Sequence, residues 1–235
     1  MKIDLTQRPQ NVTIIEGFPG LGLVGTIATE YLLDHLDVKK IGSVWFSEMN
    51  PMVAIHNKKI IEPLGIFYNK KNNLVILHAL TNVKGVEWKL ADSVCEIAKK
   101  LKAKEIISLE GVATKNKIDT KDTYYFGGKS PKKWEKMGLS CLNEGVVIGV
   151  TASLMLKLNS IPMSCIFTET SAGLPDSRAA AKMIELLDKY LNLNVDYVPL
   201  VKKAKDFENK IKGIIKNTEK IKKIKSHKQE ISYMG

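Results

Sequence analysis

The stretch Val12–Leu36 reads VTIIEGFPGLGLVGTIATEYLLDHL. Val12–Ile15 are apolar or β-branched and stop at a loop with glycines at 17, 20, 22 and 25, which predicts a buried strand ending in a tight turn. Leu21–Leu36 follows with Leu23, Ile27, Tyr31 and Leu32 at three- and four-residue spacing, which predicts a helix. Gly20-Leu-Gly22-Leu-Val-Gly25 also satisfies the G-x-G-x-x-G spacing of dinucleotide-binding folds. Two readings compete. In one, Gly17, Gly20, Gly22 and Gly25 cradle a pyrophosphate at a helix N-terminus, and Glu48 is the ribose-binding acid. In the other, the glycines only let a strand turn closely into a helix. Phe18-Pro19 favours the second, because it puts a bulky ring and a residue without N–H ahead of the cradle. So does the hairpin signal after Glu48, where a doubly wound unit would place a crossover helix.

Outward from this unit, Ile41–Phe46 reads as a strand and Met52–Ile61 as a β-hairpin around His56–Lys59. Gly65–Tyr68 and Leu74–Ala79 flank the polar turn Asn69–Asn73 and predict an antiparallel pair. Gly85–Leu101 carries Val86, Leu90, Val94, Ile97, Ala98 and Leu101 at helical spacing. Ile106–Leu109 reads as a strand ending at Glu110-Gly111, and Lys115–Lys136 as a long surface loop or excursion. Val146–Val150 reads as a strand, with Thr151 as N-cap of a helix over Ala152–Leu158. Met163–Thr168 is a strand ending at Glu169-Thr170, and Asp176 caps a helix running to about Leu191. Strands alternating with helices, plus hairpins, predict an α/β domain around a mixed, largely parallel sheet over residues 1–198.

Residues 199–235 differ in kind. Ala204, Phe207, Ile211, Ile214, Thr218 and Ile221 recur at 3-4-3-4-3 spacing, which predicts a basic amphipathic helix that must pack against something. The net charge of +11 gathers here: 11 lysines against 4 acids from Val201 on, a local +7 that leaves the remaining 200 residues at +4. A body so nearly balanced argues against nucleic acid as the partner. Tyr124, Tyr125, Phe126, Lys129, Lys132, Lys133 and Trp134 interleave aromatic and basic residues, which suits single-stranded nucleic acid or a protein partner alike. Cys95, Cys141 and Cys165 lie far apart and read as reduced, mostly buried thiols of a cytoplasmic protein. The scattered cysteines and histidines offer no zinc spacing, and no run reaches the roughly 18–20 apolar residues of a membrane span. Gly127-Gly128-Lys129-Ser130 ends like a phosphate loop but has Thr123 in place of its first glycine, and no G-x-S-x-G elbow is present. Glu110, Glu169 and Asp176 border predicted strand ends, where α/β enzymes place acids and bases.

The segment Glu16-Gly-Phe-Pro-Gly-Leu-Gly-Leu-Val-Gly25 is similar to the signature of the proteasome assembly chaperone 2 family. The block Gly149-Val-Thr-Ala-Ser-Leu154, then Glu169-Thr170, then Pro175-Asp-Ser-Arg-Ala-Ala180 resembles the second half of that family, so the likeness spans about residues 10–195. The resemblance implies a three-layer α/β/α domain of phosphorylase/hydrolase architecture and homo-oligomers. It implies a role in assembling the α subunits of the 20S proteasome, and the first reading is a non-enzymatic assembly chaperone or scaffold that uses no cofactor. Some proteasome-binding proteins end in a hydrophobic residue, tyrosine and one further residue; here Tyr233-Met234-Gly235 has its tyrosine one place early. On this reading Phe207, Ile211, Ile214, Ile221, Tyr233, Met234 and Gly235 are the partner-binding residues. The alternative is a nucleotide-binding enzyme of ligase or hydrolase type built on Gly17–Gly25, with Glu48, Glu110 or Glu169 as acids. Family members have been labelled ATP-grasp-like, but no metal-binding carboxylate set or phosphate loop is laid out here to support that label.

Overall fold

A computed structural model describes residues 2–49, 53–56, 59–79, 83–113, 122–170 and 174–202, with residues 54–56 and 59–61 as backbone alone. The chain runs β1 (Lys2–Leu5), β2 (Thr13–Gly17), a 3-10 turn (Leu21–Leu23), α1 (Val24–His35), β3 (Lys39–Trp45), β4 (Ala54–His56), β5 (Lys59–Ile61), β6 (Leu64–Asn69) and β7 (Leu74–Ala79). It continues through α2 (Glu87–Lys100), β8 (Glu105–Ala113), β9 (Thr123–Gly127), α3 (Pro131–Lys136), β10 (Ser140–Cys141), α4 (Gly149–Lys157), β11 (Met163–Thr170) and α5 (Ser177–Leu191).

Nine strands form one sheet in the order β1-β3-β6-β7-β2-β8-β11-β9-β10. The central four, β7, β2, β8 and β11, are parallel. Antiparallel pairs flank them, β6 with β7 and β3 on one side and β9 with β11 on the other. The reason is visible in the residues. Every residue of β2 and β7 is buried, as expected of strands covered on both faces. Alternate side chains then feed two separate cores. Ile15, Ile76, Ile107 and Leu109 pack under α1, α3 and α5, while Ile14, Val75, Leu77 and Ile106 pack under α2 and α4. Helices on both faces of a mixed sheet make the three-layer α/β/α architecture that the sequence implies.

β4 and β5 pair as the expected hairpin, outside the main sheet. Asp176 caps α5 as expected, its carboxylate accepting from the Ala179 N–H at 3.0 Å. Three expectations are corrected. The first helix begins at Val24, because Gly22 and Leu23 take φ of +64° and +50° and break the helical path. Val146–Val150 is not a strand: Val146 and Ile148 are 92% and 78% exposed, and α4 has already begun at Gly149, so Thr151 lies inside the helix instead of capping it.

The third correction concerns Lys115–Lys136, which is not one surface loop. Residues 114–121 lie outside the described residues, but 123–136 form β9 and α3. Ser130-Pro131 starts α3, with proline in the first turn, where its missing N–H costs nothing. The helix carries Trp134 into the core at 0% exposure, stacked on Tyr190 at 3.9 Å between ring centroids. Lys133 lies over the same Tyr190 ring at 4.1 Å. With Trp134 and Tyr125 buried, these two aromatic side chains serve the core, leaving Phe126 exposed on β9. Of the cysteines, Cys165 is buried and Cys95 half-buried, whereas Cys141 is exposed on the two-residue edge strand.

Candidate functional site

In open α/β sheets, ligands bind beyond the carboxyl ends of the parallel strands. Here those ends belong to β2, β8 and β11, and the glycine loop lies across them. The four glycines are each explained by what presses on them. A Cβ on Gly17 would strike the Gly25 carbonyl, and one on Gly25 would strike the Leu109 carbonyl of β8. The helix α1 therefore approaches β2 and β8 more closely than any side chain allows. A Cβ on Gly22 would meet Thr170 of β11, and Gly22 also needs its left-handed backbone. A Cβ on Gly20 would lie 2.5 Å from Oε2 of Glu110. At each of these contacts the neighbour is the protein itself, in the place a pyrophosphate would take on the nucleotide reading.

Beneath the loop sits a polar cluster in the α2/α4 layer. Glu16, at the end of β2, is buried and accepts from the Ser108 hydroxyl and, at 3.4 Å, from the Phe18 N–H. Ser108 Oγ lies 2.8 Å from Thr151 Oγ1. Thr151 Oγ1 lies 2.6 Å from Glu110 Oε1 and 3.5 Å from Glu16 Oε1. Burial pushes the Glu16 carboxyl up to about 7, against the pull of its Ser108, Phe18 and Thr151 donors. Burial and then repulsion by Glu16 push Glu110 up to about 8. Cys165, on the neighbouring strand, is pushed up to about 12 by burial and by both acids. The loop itself is tied down nearby: Asp176 N–H donates to the Gly22 carbonyl at 2.9 Å, and Thr170 Oγ1 donates to the Asp176 carboxylate at 2.9 Å.

A second polar contact links α1 to β7, where Thr29 Oγ1 lies 2.9 Å from His78 Nδ1. Burial pushes this imidazole down to about 4, which keeps it neutral near pH 7. His78 also lines a small, mostly apolar cavity between the sheet and α2, with Phe18, Val44, Ile66, Leu90 and Val94 around it.

Of the acids picked out from the sequence, Glu110 and Asp176 do meet the glycine loop. Glu48 does not join them: it forms an ion pair with Lys89 of α2, whose hydrogen bond holds its carboxyl down at about 2. Glu169 accepts from the Tyr124 hydroxyl at 3.5 Å. Glu16, Ser108 and Thr151 were missed as a polar set, although Glu16 stands in the quoted signature; a lone acid in an apolar strand was the available signal. Among the described residues, no group of three or more His, Cys, Asp and Glu is placed to hold a metal, and no helix is long and apolar enough to cross a membrane. Phe207, Ile211, Ile214, Ile221, Tyr233, Met234 and Gly235 lie outside the described residues, the last of which, 198–202, are helical.

Comparison with known proteins agrees with this architecture. The chain is similar to Pyrococcus furiosus PbaA, described as an archaeal homolog of proteasome-assembly chaperone, at 30% identity and a TM-score of 0.83, covering 98% of this chain and 99% of that one. It shares the fold of Pyrococcus furiosus PbaB, described as an archaeal proteasome activator, at 21% identity and a TM-score of 0.75, over 91% of this chain and 98% of that one. An uncharacterized protein of Methanocaldococcus jannaschii is 28% identical over 210 residues, 87% of this chain and 86% of its own length. The PAC2 family model matches residues 14–215, which takes in the glycine loop, the buried acids and both helical layers, and the chain belongs to the PAC2 family.

Proposed function

We propose that this protein is a non-enzymatic, cytoplasmic assembly chaperone or scaffold that forms homo-oligomers and binds proteasome α subunits. The observation that carries the reading is end-to-end likeness, at 30% identity over 98% of the chain, to a homolog of a proteasome-assembly chaperone. The glycine loop supports it, since Gly17, Gly20, Gly22 and Gly25 are each packed against the protein's own strands or helix.

In this reading residues 1–198 are the body and 199–235 an extension that makes the contact. Phe207, Ile211, Ile214 and Ile221 supply the apolar stripe, and Tyr233-Met234-Gly235 supplies the aromatic end. Eleven lysines from Val201 onward steer the extension towards acidic surface, an attraction that weakens as salt screens it.

The test is co-purification of the full chain with isolated proteasome α subunits, beside a chain ending at Lys202. Binding by the full chain and its loss in the shortened one is the expected result. Equal binding by both would move the contact to the body, and no binding by either would end the reading.

A further inference from the structure

The polar cluster under the glycine loop has more links than its hydroxyls have protons. Three short contacts join four side chains in a line: Glu16 to Ser108, Ser108 to Thr151, and Thr151 to Glu110. Each link consumes one proton. Ser108 and Thr151 bring one hydroxyl proton apiece, and an ionised carboxylate brings none. The line closes only when one of its two acids is protonated. With the proton on Glu110, that acid donates to Thr151, Thr151 to Ser108 and Ser108 to Glu16. With the proton on Glu16, every donor reverses.

We propose that Glu16 and Glu110 hold one proton between them in the folded protein, and that this proton closes a clasp between the glycine loop and the first turn of α4, which opens as the pH rises. The three elements that meet here make the clasp mechanical. Glu16 ends β2 and receives the Phe18 N–H, so it holds the loop from below. Glu110 lies in the second half of β8, against Gly20. Thr151 is the third residue of α4, and just ahead of it stand Val146 and Ile148, the two most exposed large apolar residues described. Losing the proton removes one link and leaves two facing anions in a partly dry site. The hold on α4 then weakens at its first turn, while Val150 and Leu154 stay packed in the core.

The other titratable groups around the pair are each bonded or neutral. On β11, Cys165 stays a thiol and Glu169 is bonded by Tyr124. At the start of α5, Asp176 is held by Thr170 and the Ala179 N–H. On β7, paired with β2, His78 is engaged by Thr29 of α1, and on α4 Lys157 is paired with Asp92 of α2. Burial, joined at Glu110 by repulsion from Glu16 and opposed by hydroxyl and backbone donors, raises both acids of the pair.

Infrared spectroscopy of the full chain tests the proposal. At about pH 6, where exposed carboxyls are ionised, one protonated-carboxyl C=O stretch is expected, fading reversibly by about pH 9. Glu16→Gln and Glu110→Gln each supply the missing donor as an amide N–H, so each should lose the band and keep the fold. Hydrogen exchange adds a second readout. In the wild type, the α4 amides should gain exchange above its intrinsic rise between about pH 6 and pH 9, and in the amide variants they should not. Should an amide variant fail to fold, Thr151→Val serves instead. It cuts the line without changing a titrating group, and should leave the first turn of α4 exchanging fast at both pH values. A wild type without the band, a band kept by both amide variants, or wild-type pH-dependent protection in Thr151→Val would each overturn the proposal.

Discussion

Two glutamates stand five residues apart on β8, Glu105 buried and Glu110 half-buried, and they are built differently. Glu105 faces the α5 layer, where Ser164 donates to it at 2.7 Å and Tyr190 at 3.0 Å, and Trp134 Nε1 donates in turn to Ser164 at 3.3 Å. That cluster has three links, and Ser164, Tyr190 and Trp134 bring three protons. Glu110 faces the α4 layer and shares its hydroxyls with a second acid, so its three links have two hydroxyl protons. The comparison teaches that burial alone does not define a buried acid. The ratio of donors to acids around it decides whether the cluster is a fixed joint or a titrating one.

The largest blow to the fixed joint should be Trp134→Ala. It empties a fully buried indole and removes the stack on Tyr190. About 3–5 kcal/mol of stability should be lost, read by denaturant unfolding. Trp134→Phe, which keeps a ring but not the donor, should cost clearly less.

The titrating joint should break with pH instead. Both acids are held above their ordinary value of 4.5, to about 7 and about 8. Between them the folded pair therefore keeps a proton that the unfolded chain has lost. This contribution is complete below about pH 4.5 and is lost as the pH rises through about 7 to 8. The unfolding free energy read by urea titration should fall across that window by at most about 1.4 kcal/mol per pH unit for one retained proton, less where Glu110 meets solvent. Glu110→Gln should flatten the fall, whereas Tyr190→Phe beside Glu105 should leave the slope in place.

Between the two joints lies the glycine packing that brings α1 onto the strands. Gly25→Ala sets a methyl against the Leu109 carbonyl and should cost about 1–3 kcal/mol, with the slope on pH unchanged. The smallest effect should come from Asp176→Ala. It removes the α5 cap and the partner of Thr170, at about 1 kcal/mol by thermal unfolding.

Much of the fold was legible because it rests on local periodicity. The strand Thr13–Gly17, the pair Leu64–Asn69 and Leu74–Ala79, the long helices Glu87–Lys100 and Ser177–Leu191 and the Asp176 cap all follow from patterns within a few residues. Val146–Val150 misled because five apolar or glycine residues in a row read equally as a strand or as a helix start, and periodicity cannot choose. Tyr124–Trp134 misled for the opposite reason. Its lysines point to solvent in the sequence pattern, while the site that buries Trp134 is built by Tyr190, 56 residues further on.

By itself the sequence determined the alternation of strands and helices, the place of the glycine loop, and the family to which these motifs belong. Only the tertiary structure decided what the glycines face and which acids meet. Gly17, Gly20, Gly22 and Gly25 fit a nucleotide spacing and a packing spacing equally well, because spacing records distance along the chain and not the neighbour across it. Likewise Glu16, Ser108, Glu110 and Thr151 lie up to 135 residues apart in sequence and share one pocket of low dielectric in the fold. Proton affinity is a property of that shared pocket, and no residue carries it alone.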